Sequence, residues 1–180
     1  MAQARLLGIS GSLRMNSVNT KLVREAARLF GPSDFAIADL RLPLYDGDLE
    51  TNEGIPDKVQ TLADQIKSAD AIVISTPEYN SSLSGVLKNA LDWVSRTQGR
   101  PWHGKPVALM SAAAGRAGGA RANFALRLAM APFRTRLLQS EVLLASASRE
   151  FDGDGRLVSE RYIGNVQAQM DELRAEAARA

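Results

Sequence analysis

Apolar residues along the chain follow two rhythms. Five short runs are nearly continuous and partly β-branched: RLLGIS (5–10), DFAIADL (34–40), AIVIST (71–76), KPVALMSA (105–112) and LLQSEVLLAS (137–146). That is the pattern of parallel strands buried on both faces. Between them the spacing turns helical, with Leu22, Ala26, Leu29 and Phe30 over Val18–Phe30, Val59, Leu62 and Ile66 over Asp57–Ser68, and Val86, Leu87, Ala90 and Val94 over Leu83–Arg96. Residues 119–131 and 159–179 complete the helical set. Strands alternating with helices predict a doubly wound α/β sheet, its right-handed crossovers placing helices on both faces. Ligands of such sheets sit beyond the carboxyl ends of the strands, where the strand order reverses. The loops after residues 10, 76 and 111 are therefore the places to look for chemistry.

The first of these, GISGSLRMNSVNT (8–20), is crowded with small hydroxyl and amide side chains around one arginine. Gly11 allows a tight turn or a close backbone approach. Ser17 or Asn16 suits the cap of the following helix, whose free N–H groups and dipole favour an anion. Ser12, Ser17 and Asn19 add donors, and Arg14 adds a guanidinium fork matched to phosphate. The loop lacks the Gly-Lys-Ser/Thr ending of a Walker loop, and Gly8 and Gly11 have the wrong spacing for a dinucleotide fingerprint. It reads as a phosphate cradle of another kind, beside the plainer reading of a capped turn with a solvated arginine.

After the central strand, Pro77 carries the chain out extended, with Glu78, Tyr79 and Asn80 at the mouth. Tyr79 can pack a planar ligand and Asn80 can bond its polar edge. Glu78 has no partner carboxylate or histidine in its segment, which favours a structural role near a helix start. The third loop, SAAAGRAGGAR (111–121), combines glycines with Arg116 and Arg121, either of which can meet an anion.

Composition narrows the chemistry. The 180 residues include no cysteine and a single histidine, which excludes disulfides and thiolate chemistry and leaves no multi-histidine metal site. His103 falls in the RPWHGKP turn and reads as a surface residue; EFDGDGRLV (150–158) lacks the ligand set of a calcium loop and reads as a turn. No metal is expected. With 22 basic and 20 acidic residues the net charge is only +2, so no nucleic-acid partner is implied. No apolar run is long enough to span a bilayer, and MAQARLLGIS has no signal-peptide core. One domain over 1–180 and a cytoplasmic location are the expectations.

Taken together, GISGSLRMNSVNTKLV, LPLYDGDL, ADAIVISTPEYNSSLSGVLKNALDWVSR and GKPVALMSAAAGRAGGAR resemble the NAD(P)H-dependent FMN reductase family, in particular its bacterial quinone and chromate reductase branch. The likeness runs over roughly residues 5–130 and implies a flavodoxin-like fold with a five-stranded parallel sheet. It implies FMN as cofactor, its phosphate held by Ser10, Ser12, Arg14, Ser17, Val18 and Asn19. Pro77, Glu78, Tyr79 and Asn80 would line the isoalloxazine, with Ser111 and the backbone through Gly115 at the other edge. Arg96 matches a family arginine near the nicotinamide-nucleotide path, to which Arg116 and Arg121 are further candidates. Ala112, Ala113 and Ala114 depart from the family, leaving flavin-edge hydrogen bonds there to the backbone.

On this resemblance no side chain is catalytic. Hydride passes from NADPH or NADH to flavin N5, then electrons pass to a quinone, free flavin, azo compound or oxidised metal ion, because the cofactor carries the redox chemistry. The alternatives are a flavodoxin-type electron carrier and a non-catalytic phospholigand-binding module. The family also implies a homodimer or homotetramer, with Trp93, Arg96 and the long 42–54 loop as candidate contacts.

Overall fold

The computed structural model describes residues 3–179. Strands β1 (Arg5–Ser10), β2 (Asp34–Ile37), β3 (Ala71–Thr76), β4 (Pro106–Ala112) and β5 (Arg136–Leu144) form one sheet in the order β2-β1-β3-β4-β5. Every neighbouring pair is parallel. Six helices connect and follow them: α1 (Val18–Phe30), α2 (Gly47–Glu53), α3 (Asp57–Ser68), α4 (Gly85–Ser95), α5 (Ala120–Met130) and α6 (Glu160–Ala177). The order reverses between β1 and β3, because β1 leads outward to β2 while β3 leads the other way to β4. No described helix is long and apolar enough to cross a membrane.

Alternation along each strand sorts the core into two layers. Leu6, Ala71, Val73, Ala108 and Met110 pack with α1 and α6 residues such as Leu22, Phe30, Val166 and Met170. Leu7, Ile9, Ile72, Ile74, Val107 and Leu109 pack with Leu62, Ile66, Leu87, Leu91 and Leu126 from α3, α4 and α5. Both faces are covered, so the central strands need apolar residues at every position, which is why their runs are continuous. Gly8 marks where α1 approaches β1 most closely. A Cβ there would stand 2.4 Å from Val23 Cγ1 and 2.9 Å from the Phe35 ring.

Three details depart from the sequence reading. Strand β2 ends at Ile37 rather than residue 40, with one further ladder-like bond from Ala38 N–H to the Gly8 carbonyl. Within the expected loop 42–54 a short helix, α2, forms without burying a residue. Asp46 caps it by accepting from Asp48 N–H, and Thr51 Oγ1 donates to the Gly47 carbonyl. Its anchor is Trp93, which is fully buried, edge-on to Tyr45 at 5.0 Å, with Nε1 donating to the Pro43 carbonyl at 2.8 Å. Trp93 therefore serves the interior of this chain instead of offering a surface contact. Finally, β5 bulges against β4: Val107 pairs with Leu137, but Leu109 pairs with Glu141. Side chains satisfy the displaced carbonyls, Arg127 bonding to those of Leu138 and Ser140, and Gln169 to those of Ser140 and Leu109.

Candidate flavin-binding cleft

At the β1/β3 reversal the carboxyl-end loops surround a cleft of about 510 Å³. Its walls come from loop one and the start of α1 (Ser12, Arg14, Asn16, Ser17, Val18, Asn19, Lys21), from Pro77–Tyr79, from Ala112–Ala114 and from Ala147–Ser148. The volume lies within the range of ordinary cofactor pockets.

Loop one is shaped by a close crossing of backbones. Gly11 N–H donates to the Ser75 carbonyl at 2.8 Å, and a Cβ on Gly11 would meet Ser84 Oγ at 2.9 Å. Ser17 caps α1, its Oγ accepting from the N–H groups of Asn19 and Thr20. Among the described residues, the N–H groups of Ser12, Leu13, Asn16 and Val18 have no protein acceptor. With Arg14 and Lys21 beside them, these unspent donors make a concave, cationic end suited to a phosphate.

Asn19 is placed differently from its neighbours. It is buried, and its Oδ1 accepts from Ser75 Oγ at 2.7 Å and from Ala112 N–H at 3.0 Å, while its Nδ2 donates to the Ala112 carbonyl at 3.0 Å. The side chain ties α1 to the ends of β3 and β4. Ser10 similarly bonds Thr20 across Oγ–Oγ1 at 2.8 Å and faces a neighbouring groove shared with Asp39 and Arg41. Ser111 is buried and donates to the Gly118 carbonyl at 2.7 Å, holding loop three folded. Gly115 lies outside the cleft lining and accepts from Gly118 and Ser146 N–H groups.

On the opposite side, Tyr79-Asn80-Ser81-Ser82 forms a tight turn closed by two backbone bonds of 3.1 Å. Asn80 and Ser81 hold φ of 50° and 63°, a pair of left-handed residues of the type I′ kind. Tyr79 is half-exposed at the cleft mouth, whereas Asn80 sits on the turn tip outside the lining. Ser84 caps α4 through Leu87 N–H, and Thr76 Oγ1 accepts from Ser84 N–H, fixing the turn to the strand end. Glu78 Oε1 pairs with Arg121 at 2.7 Å, while Glu78 Oε2 is buried without a hydrogen-bond partner.

The other two arginines diverge. Arg116 is exposed on loop three. Arg96 ends α4 away from the cleft and grips Glu50 through Nε at 2.9 Å. That guanidinium holds the Glu50 carboxyl below its usual range, and Glu50 in turn raises the Tyr45 hydroxyl. Sequence reading missed Asn16, Lys21, Ala147 and Ser148 as lining residues. Lys21 is signalled by its place one turn beyond the Ser17 cap. Ala147 and Ser148 follow β5, whose end was not counted among the site loops.

Fold and cleft together define a flavodoxin-like α/β protein whose first loop, at the topological switch point, leaves several N–H donors uncommitted beside Arg14. The family model for NADPH-dependent FMN reductases matches residues 4–149, and the chain belongs to that family of oxidoreductases. It is 42% identical over 172 residues to the NAD(P)H-dependent FMN reductase of Pseudomonas aeruginosa, covering 94% of this chain and 92% of that one. It is 43% identical over 129 residues to the quinone reductase of Escherichia coli K12, covering 68% and 67% respectively. Among solved structures, FerB from Paracoccus denitrificans, a flavoenzyme NAD(P)H:(acceptor) oxidoreductase, superposes with a TM-score of 0.87 at 30% identity over 98% of both chains.

Proposed function

We propose that the cleft holds FMN and that the protein is a quinone reductase using NADPH or NADH. The observation that carries this reading is the set of unaccepted N–H groups at Ser12, Leu13, Asn16 and Val18 beside Arg14, at the β1/β3 switch point. A phosphate dianion needs donors and positive charge, and here both remain uncommitted within the protein. When bound, FMN supplies the hydride-accepting N5 and the redox capacity that this cysteine-free chain lacks in its own side chains.

The chain's own residues do the positioning. Loop one and Arg14 grip the phosphate. Asn19 keeps α1, β3 and β4 in one register, so that the phosphate cradle and the Ala112–Ala114 wall move as one body. Pro77 and Tyr79 form an apolar shelf for a planar ring, and in loop three the N–H of Ala114, which has no acceptor among the described residues, offers a donor to its edge. Glu78, tied to Arg121 through Oε1, fixes the wall beside that shelf. Tyr79 at the mouth leaves an open side for a nicotinamide and then a quinone to stack in turn.

Three features support an enzyme over an electron carrier: near-neutral charge, an open aromatic mouth, and the relatives' names as NAD(P)H-dependent reductases. The test is anaerobic addition of NADPH or NADH to FMN-reconstituted protein. Bleaching of the bound-flavin band at a nucleotide-dependent rate, with the colour restored by a benzoquinone, is the expected result. Binding of FMN without bleaching would leave a carrier. Failure to bind FMN at all would remove the assignment of loop one.

A further inference from the structure

After β5 the chain passes the flavin cleft and folds back as a small hairpin over residues 150–158. Phe151 pairs with Leu157, and Val158 N–H donates to the Glu150 carbonyl at 3.1 Å. Asp152 Oδ1 accepts from the N–H groups of Asp154 and Arg156, and Gly155, with φ of 79°, closes the turn. The root of the hairpin is fixed to the cleft wall, because Ala147 N–H donates to the Ala113 carbonyl at 3.1 Å. The hairpin itself lies on α1, against Lys21 and Glu25.

Lys21 and Glu25 stand four residues apart on that helix, the spacing at which opposite charges ordinarily pair. Here they do not. Glu25 is almost fully buried, and four donors reach its two oxygens: two from Arg28 at 3.1 Å, one from Arg156 at 2.9 Å and Leu157 N–H at 3.3 Å. That is about the number a carboxylate can accept. Lys21 is thereby left over, and among the described residues it takes part in no ion pair. Its ammonium stands 5.8 Å over the Phe151 ring, and its stem runs past Gly155, whose added Cβ would lie 3.7 Å from Lys21 Cγ. So held, Lys21 lines the flavin cleft in company with Ser17 and Ser148.

We propose that Lys21 is the second cation for the flavin phosphate, and that Arg156 is the positioning residue that keeps it free by occupying Glu25. The inference rests on the reading of the cleft as an FMN site. A phosphate monoester carries about −1.5 to −2 charges at neutral pH, more than Arg14 alone balances. Lys21 supplies the other charge on a flexible stem with rotatable donors. Without Arg156 the buried Glu25 carboxylate has an open acceptor position, and Lys21 is the cation within reach of it. The lysine then turns to Glu25 and away from the phosphate.

The test measures dissociation constants of FMN and riboflavin by flavin-fluorescence titration of the full chain. Riboflavin is the control because it has the same ring and ribityl chain without the phosphate. Lys21→Gln should weaken FMN about 5- to 10-fold and leave riboflavin unchanged, as loss of one charge-assisted contact predicts. Arg156→Gln should weaken FMN about 3-fold or more, again sparing riboflavin, and Arg156→Lys should restore most of the loss. In a Lys21→Gln background, Arg156→Gln should have no further effect, because the residue it acts through is gone. Unchanged FMN binding in Lys21→Gln, or an equal weakening of riboflavin, would overturn the proposal. An Arg156→Gln effect that persists without Lys21 would overturn the positioning role. Wild-type protein that binds riboflavin as tightly as FMN would instead overturn the phosphate assignment of loop one, and this inference with it.

Discussion

Single residues in loop one divide into those that would touch a ligand and those that hold the loop, and substitutions should separate the two. Arg14 is exposed and makes no ion pair among the described residues, so Arg14→Ala should leave the melting temperature nearly unchanged. Its loss removes a charge-assisted contact, so FMN affinity should fall roughly 10- to 100-fold in a flavin-fluorescence titration. Asn19→Ala should behave in the opposite way. It strands Ser75 Oγ and both backbone groups of Ala112 in the interior, at a cost of about 2–4 kcal/mol, measurable by urea unfolding without flavin. The loop's hydroxyls and amides were legible in the sequence as a group, because their density between a strand and a helix has few other uses. Their division of labour was not legible. Asn19 finds its partner at Ala112 and Ser10 finds Thr20, and only the folded sheet brings the first of those pairs together.

At the level of elements, α1 and the C-terminal region are joined by a buried carboxylate. Glu25, almost fully buried, accepts from Arg28 at 3.1 Å, from Arg156 at 2.9 Å and from Leu157 N–H at 3.3 Å. Burial alone would raise its pKa; the hydrogen bonds from Arg28, Arg156 and Leu157 more than offset this, and the pKa lies below the usual glutamate range. The folded protein thus releases this proton more readily than the unfolded chain does. Glu25 stabilises the fold above the ordinary glutamate pKa, and that contribution is lost as pH falls through the depressed folded value. Melting temperatures followed across acid pH should drop in that window, and Glu25→Gln should flatten the drop while costing about 1–2 kcal/mol near neutrality. The elements themselves were read well where periodicity is strong: β1, β3, α1 and α3 match their predicted spans. Helix α2 escaped because it buries nothing and so shows no apolar stripe; its cap and the Tyr45–Trp93 contact make it. The β5 bulge escaped because its carbonyls are satisfied by Arg127 and Gln169 from other helices.

For the whole molecule, the important property is that the cleft is built from segments far apart in the chain. Loop one, Pro77–Tyr79, Ala112–Ala114 and Ala147–Ser148 come from the ends of four different strands, and the sheet, with the Asn19 side chain, holds them in register. Fold class was legible from the two rhythms of the apolar residues, and the place of the site followed from the rule that ligands sit beyond the carboxyl ends of such strands, while the strand order itself came only with the fold. A ligand that bridges those four segments can bind only the folded state, so its binding energy adds directly to global stability. At an FMN concentration 100 times the dissociation constant, that addition is about 2.7 kcal/mol. For a chain of this length it should raise the melting temperature by roughly 5–10 °C. Because Arg14→Ala weakens FMN without loosening the apo fold, its flavin-induced shift should be smaller at the same FMN concentration and should recover as FMN is raised. Asn19→Ala should melt lower throughout, yet keep most of its shift. Equal losses of apo stability and flavin response in the two variants would mean that cradle and scaffold are not separable, and that loop one owes its shape to the cofactor rather than to the sheet.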